Sequence, residues 1–334
     1  MSTDGTQRVC RICSCLAATI VTSMSNLTVS AAQPDYPARP VRLIVPFAPG
    51  GGTDAVARVI APRYTAQTGQ SWIVDNRPAA GGNVGMEMAA TAQPDGYTVL
   101  LGVSAPLTTN VTLYPNLAYN VIRDFQPITK ITSAMHIVVV HPSVVAGTLS
   151  EFIALAKKNP GRLNYASAGS GSTIHMAAEM FKYRVGIDLL HVAYKGGGPA
   201  ALAVLGGEVQ VLFGSLASTV AHVRAGKLKA FAVTGLKRAS AAPDVPTVAE
   251  SGYPGFEVAT WFALLVPAKT PASVVKRIYD ETLRIAKMPD VQEAFSRQGF
   301  EAETSATYGE LANVIKEETA TWAKVIKAAG IKLE

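Results

Sequence analysis

Residues 41 to 58, V-R-L-I-V-P-F-A-P-G-G-G-T-D-A-V-A-R, decide how this chain is read. Val41 to Val45 is an apolar, β-branched run suited to a buried strand, and Pro46 to Gly52 can neither prolong it nor sit in a helix interior. Thr53 or Asp54 then opens a helix. A glycine-rich turn that feeds a helix N-terminus presents unpaired backbone N–H groups at the positive end of the macrodipole, where an anionic oxygen is welcome. The stretch is a candidate anion cradle. Its plainer reading is a tight strand-to-helix turn that glycine permits.

The same grammar recurs downstream. Leu163 to Ala166 reads as a strand feeding Ser167-Ala168-Gly169-Ser170-Gly171-Ser172-Thr173, with a helix running on to about Tyr183. Asp188 to Tyr194 is followed by Lys195-Gly196-Gly197-Gly198-Pro199 and a helix over 200–205. Val209 to Phe213 ends in Gly214-Ser215 and opens another helix. Two anion-ready turns in separate segments are hard to explain as turn chemistry alone, and they point to one shared ligand site. Strands and helices alternate at the spacing of parallel sheets covered on both faces, which predicts an α/β fold. Two long extended segments, 128–140 and 258–266, read as crossings between two domains, and so as the hinge of a clamshell.

With 334 residues, 49% of them hydrophobic and 16% charged, the chain is long enough for two globular domains. Its formal charge of +6 is spread without runs, and no nucleic-acid motif accompanies it. Arg8 and Arg11, the apolar residues that follow them, and Val29-Ser30-Ala31-Ala32 predict a secretory signal peptide over residues 1–32. Cys10, Cys13 and Cys15 all fall inside it, so the mature chain would have neither disulfides nor thiol chemistry. No later run approaches the ~20 apolar residues of a membrane span. His136, His141, His175, His191 and His222 show no metal-ligand spacing, and no metal or cofactor is expected. Ala168 stands where a G-x-S-x-G nucleophile elbow needs glycine. Ser170 or Ser172 as the nucleophile of an exported serine hydrolase would need a base that the sequence does not supply, and this is the alternative function class.

Several motifs, taken together and in order, carry a family resemblance. They are Val45-Pro46-Phe47-x-Pro49-Gly50-Gly51-x-x-Asp54-x-x-Ala57-Arg58, Asp75-Asn76-Arg77-Pro78-x-Ala80-Gly81-Gly82, Pro94-Asp95-Gly96-Tyr97-Thr98, Tyr165-Ala166-Ser167-x-Gly169-x-Gly171-Ser172-x-x-His175 and Tyr194-Lys195-Gly196. The chain resembles the tripartite tricarboxylate transporter substrate-binding family, the TctC or Bug receptors of bacterial periplasms. The resemblance implies a two-domain type II periplasmic-binding-protein clamshell, each domain a mostly parallel sheet flanked by helices. It places domain 1 at 33–131 plus 258–334 and domain 2 at 132–257. It further implies reversible capture of a small carboxylate by main-chain amides, hydroxyls and ordered waters. The protein would be a periplasmic monomer serving transporter membrane subunits or a sensor kinase.

Carried over by position, the resemblance puts ligand contacts at Phe47, Ala48, Pro49, Gly50, Gly51, Gly52, Thr53 and Asp54, and at Ser104 and Ala105. In the second domain it puts them at Ser167, Gly169, Ser170, Gly171, Ser172, Gly214 and Ser215. Relatives often carry a polar pair at the last two positions. Glycine at 214 removes a partner for a ligand ammonium group, which favours a plain mono- or dicarboxylate over an amino acid. Asp54 and Thr53 equally suit the role of helix caps, since a carboxylate in the cradle would repel an anion. His175 reads more readily as a packing residue than as a ligand contact.

Overall fold

The computed structural model describes residues 36–332, so the expected signal peptide and all three cysteines lie outside the described residues. The opening run forms strand β1 (Val41–Val45) and feeds helix α1 (Gly52–Thr68). Next come β2 (Trp72–Asn76), α2 (Asn83–Ala90) and β3 (Thr98–Val103). Three single helical turns, Ser104–Leu107, Asn110–Leu113 and Val121–Asp124, lead into the 16-residue strand β4 (Phe125–Val140). Beyond it are α3 (Leu149–Lys158), β5 (Asn164–Ser167), α4 (Thr173–Val185), β6 (Leu190–Ala193) and α5 (Gly197–Leu205). Then follow β7 (Val211–Ser215), α6 (Leu216–Arg224), β8 (Lys229–Val233) and β9 (Ala259–Pro267). The chain closes with α7 (Ala272–Ala286), α8 (Pro289–Arg297), β10 (Phe300–Ala302) and α9 (Tyr308–Ala329).

The strands join into one mixed sheet in the order β2-β1-β3-β9-β4-β7-β5-β6, with β8 and β10 also paired to β4. Its two wings are parallel, β2-β1-β3 on one side and β7-β5-β6 on the other. Strands β4 and β9 run antiparallel to their neighbours and to each other. The architecture is α/β, with parallel wings as the sequence implies and two antiparallel crossing strands between them. The central strands β1, β3, β7 and β9 are buried almost throughout, as continuous apolar runs covered on both faces should be.

Strand β4 changes partners part-way along. From Phe125 to Met135 it pairs with β9, and from His136 to Val140 it pairs with β7. Thr234 ties the two crossing segments at that point. Its hydroxyl accepts from His136 N at 2.8 Å and donates to Val258 O at 2.6 Å, while Val258 N donates to Thr234 O at 3.0 Å. The changeover thus has a defined hydrogen-bonded floor, and the two lobes rise on either side of it. Among the described residues no helix is long and apolar enough to cross a membrane.

Candidate ligand cleft between the lobes

The first wall is the turn from β1 into α1. Gly50 sits at φ +83°, a conformation that glycine adopts at little cost. Gly51 is the N-cap of α1 and supplies no side-chain cap. Asp54 is turned back into the loop: its Oδ2 accepts from Gly50 N at 3.0 Å and from Arg58 Nε at 2.8 Å, and its Oδ1 accepts from Asn76 Nδ2 at 3.1 Å. The same Asn76 amide also donates to Phe47 O at 2.9 Å. Burial pushes the Asp54 carboxyl upward, but the bonds from Arg58, Gly50 and Asn76 outweigh it and hold the group below the usual carboxylate range. The charge is spent on shaping the glycine turn.

The facing wall comes from the second lobe. Helix α5 begins at Gly197 itself, three residues earlier than the sequence suggests, because Pro199 falls in the first turn, where a missing N–H costs nothing. Its N-cap, Gly196, makes no side-chain cap bond. Helices α4 and α6 cap themselves: Ser172 Oγ accepts from His175 N at 3.3 Å, and Ser215 Oγ accepts from Ser218 N at 3.4 Å. The lobes meet closely. Ala48 N donates to Lys195 O at 3.1 Å, and Tyr114 Oη donates to Ser170 O at 2.7 Å. A Cβ on Gly198 would lie 2.4 Å from Pro49 O, and one on Gly81 would lie 2.0 Å from Ser170 O. Backbone passes backbone at distances that only glycine allows.

Between these walls lies a cavity of about 40 Å³. Gly51, Gly52 and Thr53 of the α1 start line one side of it. Thr173 and Ile174 of α4, Gly197 of α5 and the α6 cap Ser215 line the other. Met135 and His136 of β4 and Thr260 and Phe262 of β9 form the floor, with Ala134, Phe47 and Ala168 completing the lining. Four helices of nine residues or more therefore start at one cavity. Each brings the positive end of its dipole, and α1 and α5 bring first-turn N–H groups that no side chain caps. Among the described residues the lining holds no Lys, Arg, Asp or Glu. The arrangement suits an anion and offers no charged side chain to neutralise it. It has room for about three waters.

Of the residues expected from the sequence, Phe47, Gly51, Gly52, Thr53 and Ser215 line this cavity. Ala48, Pro49 and Gly50 lie beside it, against Gly196 and Gly198. Ser104 and Ala105 border a separate, smaller space with Thr108, Met176 and Trp322, which adjoins the first at Thr173. Ser167 is fully buried, with Oγ 2.6 Å from His191 Nε2 and accepting from Gly169 N at 3.1 Å. Gly169, Ser170 and Gly171 form the inter-lobe contact with Gly81, Tyr114 and Asn110. Ser172 serves as the cap of α4, and Gly214 is a buried residue within β7, its position held close to Thr219. His175 is buried, accepts from Gly171 N through Nδ1 at 3.1 Å, and is held down to about 4 by burial and by Lys182. It is a packing residue, and its ring does not contact Ser170 or Ser172 as a base would need to.

The cavity residues that sequence reasoning passed over are Ala134, Met135, His136, Ala168, Thr173, Ile174, Gly197, Thr260 and Phe262. Gly197 carried a signal, since its turn matches the other two. The floor residues carried none, because only the pairing of β4 with β9 brings them together. Among the described residues no three His, Cys, Asp or Glu side chains cluster as a metal ion would require.

Comparison with known proteins gives a consistent result. Residues 56–331 match the model of the tripartite tricarboxylate transporter family receptor, TctC. The periplasmic binding protein BugD is 35% identical, with a TM-score of 0.86 over 90% of this chain and 100% of BugD. Rpa4515 of R. palustris, solved with adipate, is 32% identical, with a TM-score of 0.86 over 90% of this chain and all of its own. MatC of Rhodopseudomonas palustris, solved with bound malate, is 31% identical, with a TM-score of 0.83 over 87% of this chain and all of its own.

Proposed function

This chain belongs to the tripartite tricarboxylate transporter receptor family, a family of solute-binding proteins, and on that premise we propose that it captures a small carboxylate in the cleft between its lobes. One observation carries the reading: four helix N-termini open onto one cavity that has no charged side chain in its lining. Preorganised N–H groups in a buried site hold a carboxylate through charge-assisted hydrogen bonds, and Ile174 and Phe262 offer apolar surface to its carbon skeleton. The adipate and malate held by Rpa4515 and MatC support an acid of this size class.

In this reading the lobes, residues 33–131 with 258–334 and residues 132–257, part and close about the β4 and β9 crossing. The acid leaves chemically unchanged. Neither Ser170 nor Ser172 lines the cavity, and the buried Ser172 commits its Oγ to capping α4, which supports capture over hydrolysis. The protein is exported by the peptide at 1–32, works in the periplasm as a monomer, and hands its ligand to membrane subunits of a tripartite tricarboxylate transporter or reports it to a sensor kinase.

Titration calorimetry with malate and adipate, with dimethyl adipate as the uncharged control, tests the proposal. At least one acid should bind and raise the melting temperature by mass action, with a smaller radius of gyration in solution scattering as the lobes close. The diester should not bind. No binding by any acid of a broad carboxylate panel, or equal binding of the diester, would overturn it.

A further inference from the structure

The floor of the cleft holds a polar group that the anion-binding helix ends do not account for. His136 is 3% exposed, lines the cavity, and has an Nδ1 atom with no hydrogen-bond partner among the described residues. Its other ring nitrogen, Nε2, lies 2.9 Å from Thr260 Oγ1 on the opposite crossing strand. Thr260 Oγ1 makes no other hydrogen bond among the described residues, and its hydroxyl can donate to Nε2 or accept from it.

A buried ring nitrogen left unpaired on a residue that lines a ligand cavity is an unmade bond that burial penalises, and the usual resolution is a ligand or a bound water. Placement strengthens the case. His136 is the first residue of β4 beyond its pairing with β9, and its backbone N–H and C=O are both engaged by Thr234. The backbone is therefore held by β7 pairing and by Thr234, the ring by Thr260, and of the two ring nitrogens only Nδ1 is uncommitted. Burial keeps the imidazole uncharged at neutral pH, with its pKa pushed down to about 4.

We infer that Nδ1 of His136 carries the ring proton, with Thr260 Oγ1 donating to Nε2, and that this Nδ1–H donates to an oxygen of the bound acid at the cleft floor, adding a side-chain reader to a site otherwise built from main-chain N–H groups. The inference rests on the carboxylate reading above and deepens it. A neutral N–H donor accepts no proton from a ligand, so the floor favours a carboxylate, carbonyl or ether oxygen there and disfavours an ammonium. Because Nε2 is bonded across the crossing strands, the same contact links ligand capture to the point where the lobes are joined.

The test uses malate and adipate on the full mature chain. His136→Phe keeps a ring and loses the donor, and should weaken the better-bound acid by about tenfold or more, the loss of one hydrogen bond to an anion. His136→Asn, whose amide can return an N–H to the same region, should recover most of that loss. Ring ¹⁵N spectra of the wild type supply a readout that a merely structural role would not move. They should show the Nδ1–H tautomer, with the Nδ1–H proton shifting and exchanging more slowly on adding the acid. Wild type binding an acid while His136→Phe binds it equally well, or Nδ1 unmoved by ligand because a resident water holds it, overturns this inference alone. Failure of every acid to bind the wild type overturns the carboxylate reading and this inference with it.

Discussion

The four helices that start at the cleft fall into two pairs. Helices α1 and α5 begin at glycines, Gly51 and Gly196, and nothing on a side chain caps them. Helices α4 and α6 begin at serines that take up one of their own N–H groups each. The glycine-capped pair also forms a close approach between lobes, where a Cβ on Gly51 would lie 3.2 Å from Gly197 N. Leaving out the side chain does two things at once: it frees N–H donors and it lets two backbones close over them. The serine-capped pair gives up donors for local stability, worth about 1 kcal/mol per cap. One pair is arranged for the ligand, the other for the fold.

The largest break in that comparison is expected from Gly198→Ala. Alanine is favourable in a first helical turn, so the ligand-free protein should melt no lower than the wild type. In the closed form its Cβ would sit 2.4 Å from Pro49 O, and backbone cannot yield as a flexible side chain would. Overpacking of 1–3 kcal/mol, roughly 5- to 150-fold, should appear as lost acid affinity in calorimetry and as a radius of gyration that no longer shrinks on adding ligand. Unchanged affinity would show that the lobes do not close through this contact.

Asp54→Asn comes next. It removes the charge that gathers Gly50 N, Arg58 and Asn76 around the α1 turn, and should cost about 1–3 kcal/mol in chemical denaturation. Were Asp54 a ligand contact instead, the change would alter affinity with little effect on stability. Ser172→Ala and Ser215→Ala sharpen the contrast. Each should cost about 1 kcal/mol of stability and leave acid affinity within about threefold of the wild type.

The smallest effect is a pH dependence on the serine-capped side. Burial and the Lys182 charge hold His175 at about 4, below its unfolded value of about 6.5. The unfolded chain therefore binds the proton first as pH falls, so stability is full above about 6.5 and is lost progressively toward about 4. Protonation would also cost Nδ1 its role as acceptor from Gly171 N. Denaturation midpoints at pH 7 and pH 5.5 should differ by less than about 1 kcal/mol per pH unit on account of this group. His175→Asn should remove this group's share of the slope, while His136 and His191, also held at about 4 by burial, keep theirs.

How much of this the sequence discloses follows from which forces are local. Val41 to Val45, the turn at 46–51 and the Ser172 cap are written in neighbouring residues, through β-branched runs, Pro and Gly punctuation and a cap side chain before a helix. The two crossing strands were legible as long extended segments, and their endpoints fell within a few residues of β4 and β9. Strand β10 and the three single turns after β3 were not, because three- and four-residue elements carry no period. The floor of the site was invisible for a deeper reason. His136 and Thr260 are 124 positions apart, and nothing in either neighbourhood says that β4 exchanges β9 for β7 just there. Gly197 is the intermediate case: its turn repeats the first one, but only the helix starting there shows that glycine itself is the first donor.

The central claim is that main-chain N–H groups at the glycine-started helices hold the acid. A crystal structure of the protein with malate or adipate tests it most directly. The account predicts a carboxylate within about 3 Å of backbone nitrogens among Gly51, Gly52, Thr53 and Gly197, with the lobes closed over it. A carboxylate held instead by lysine or arginine side chains, away from those nitrogens, would contradict it.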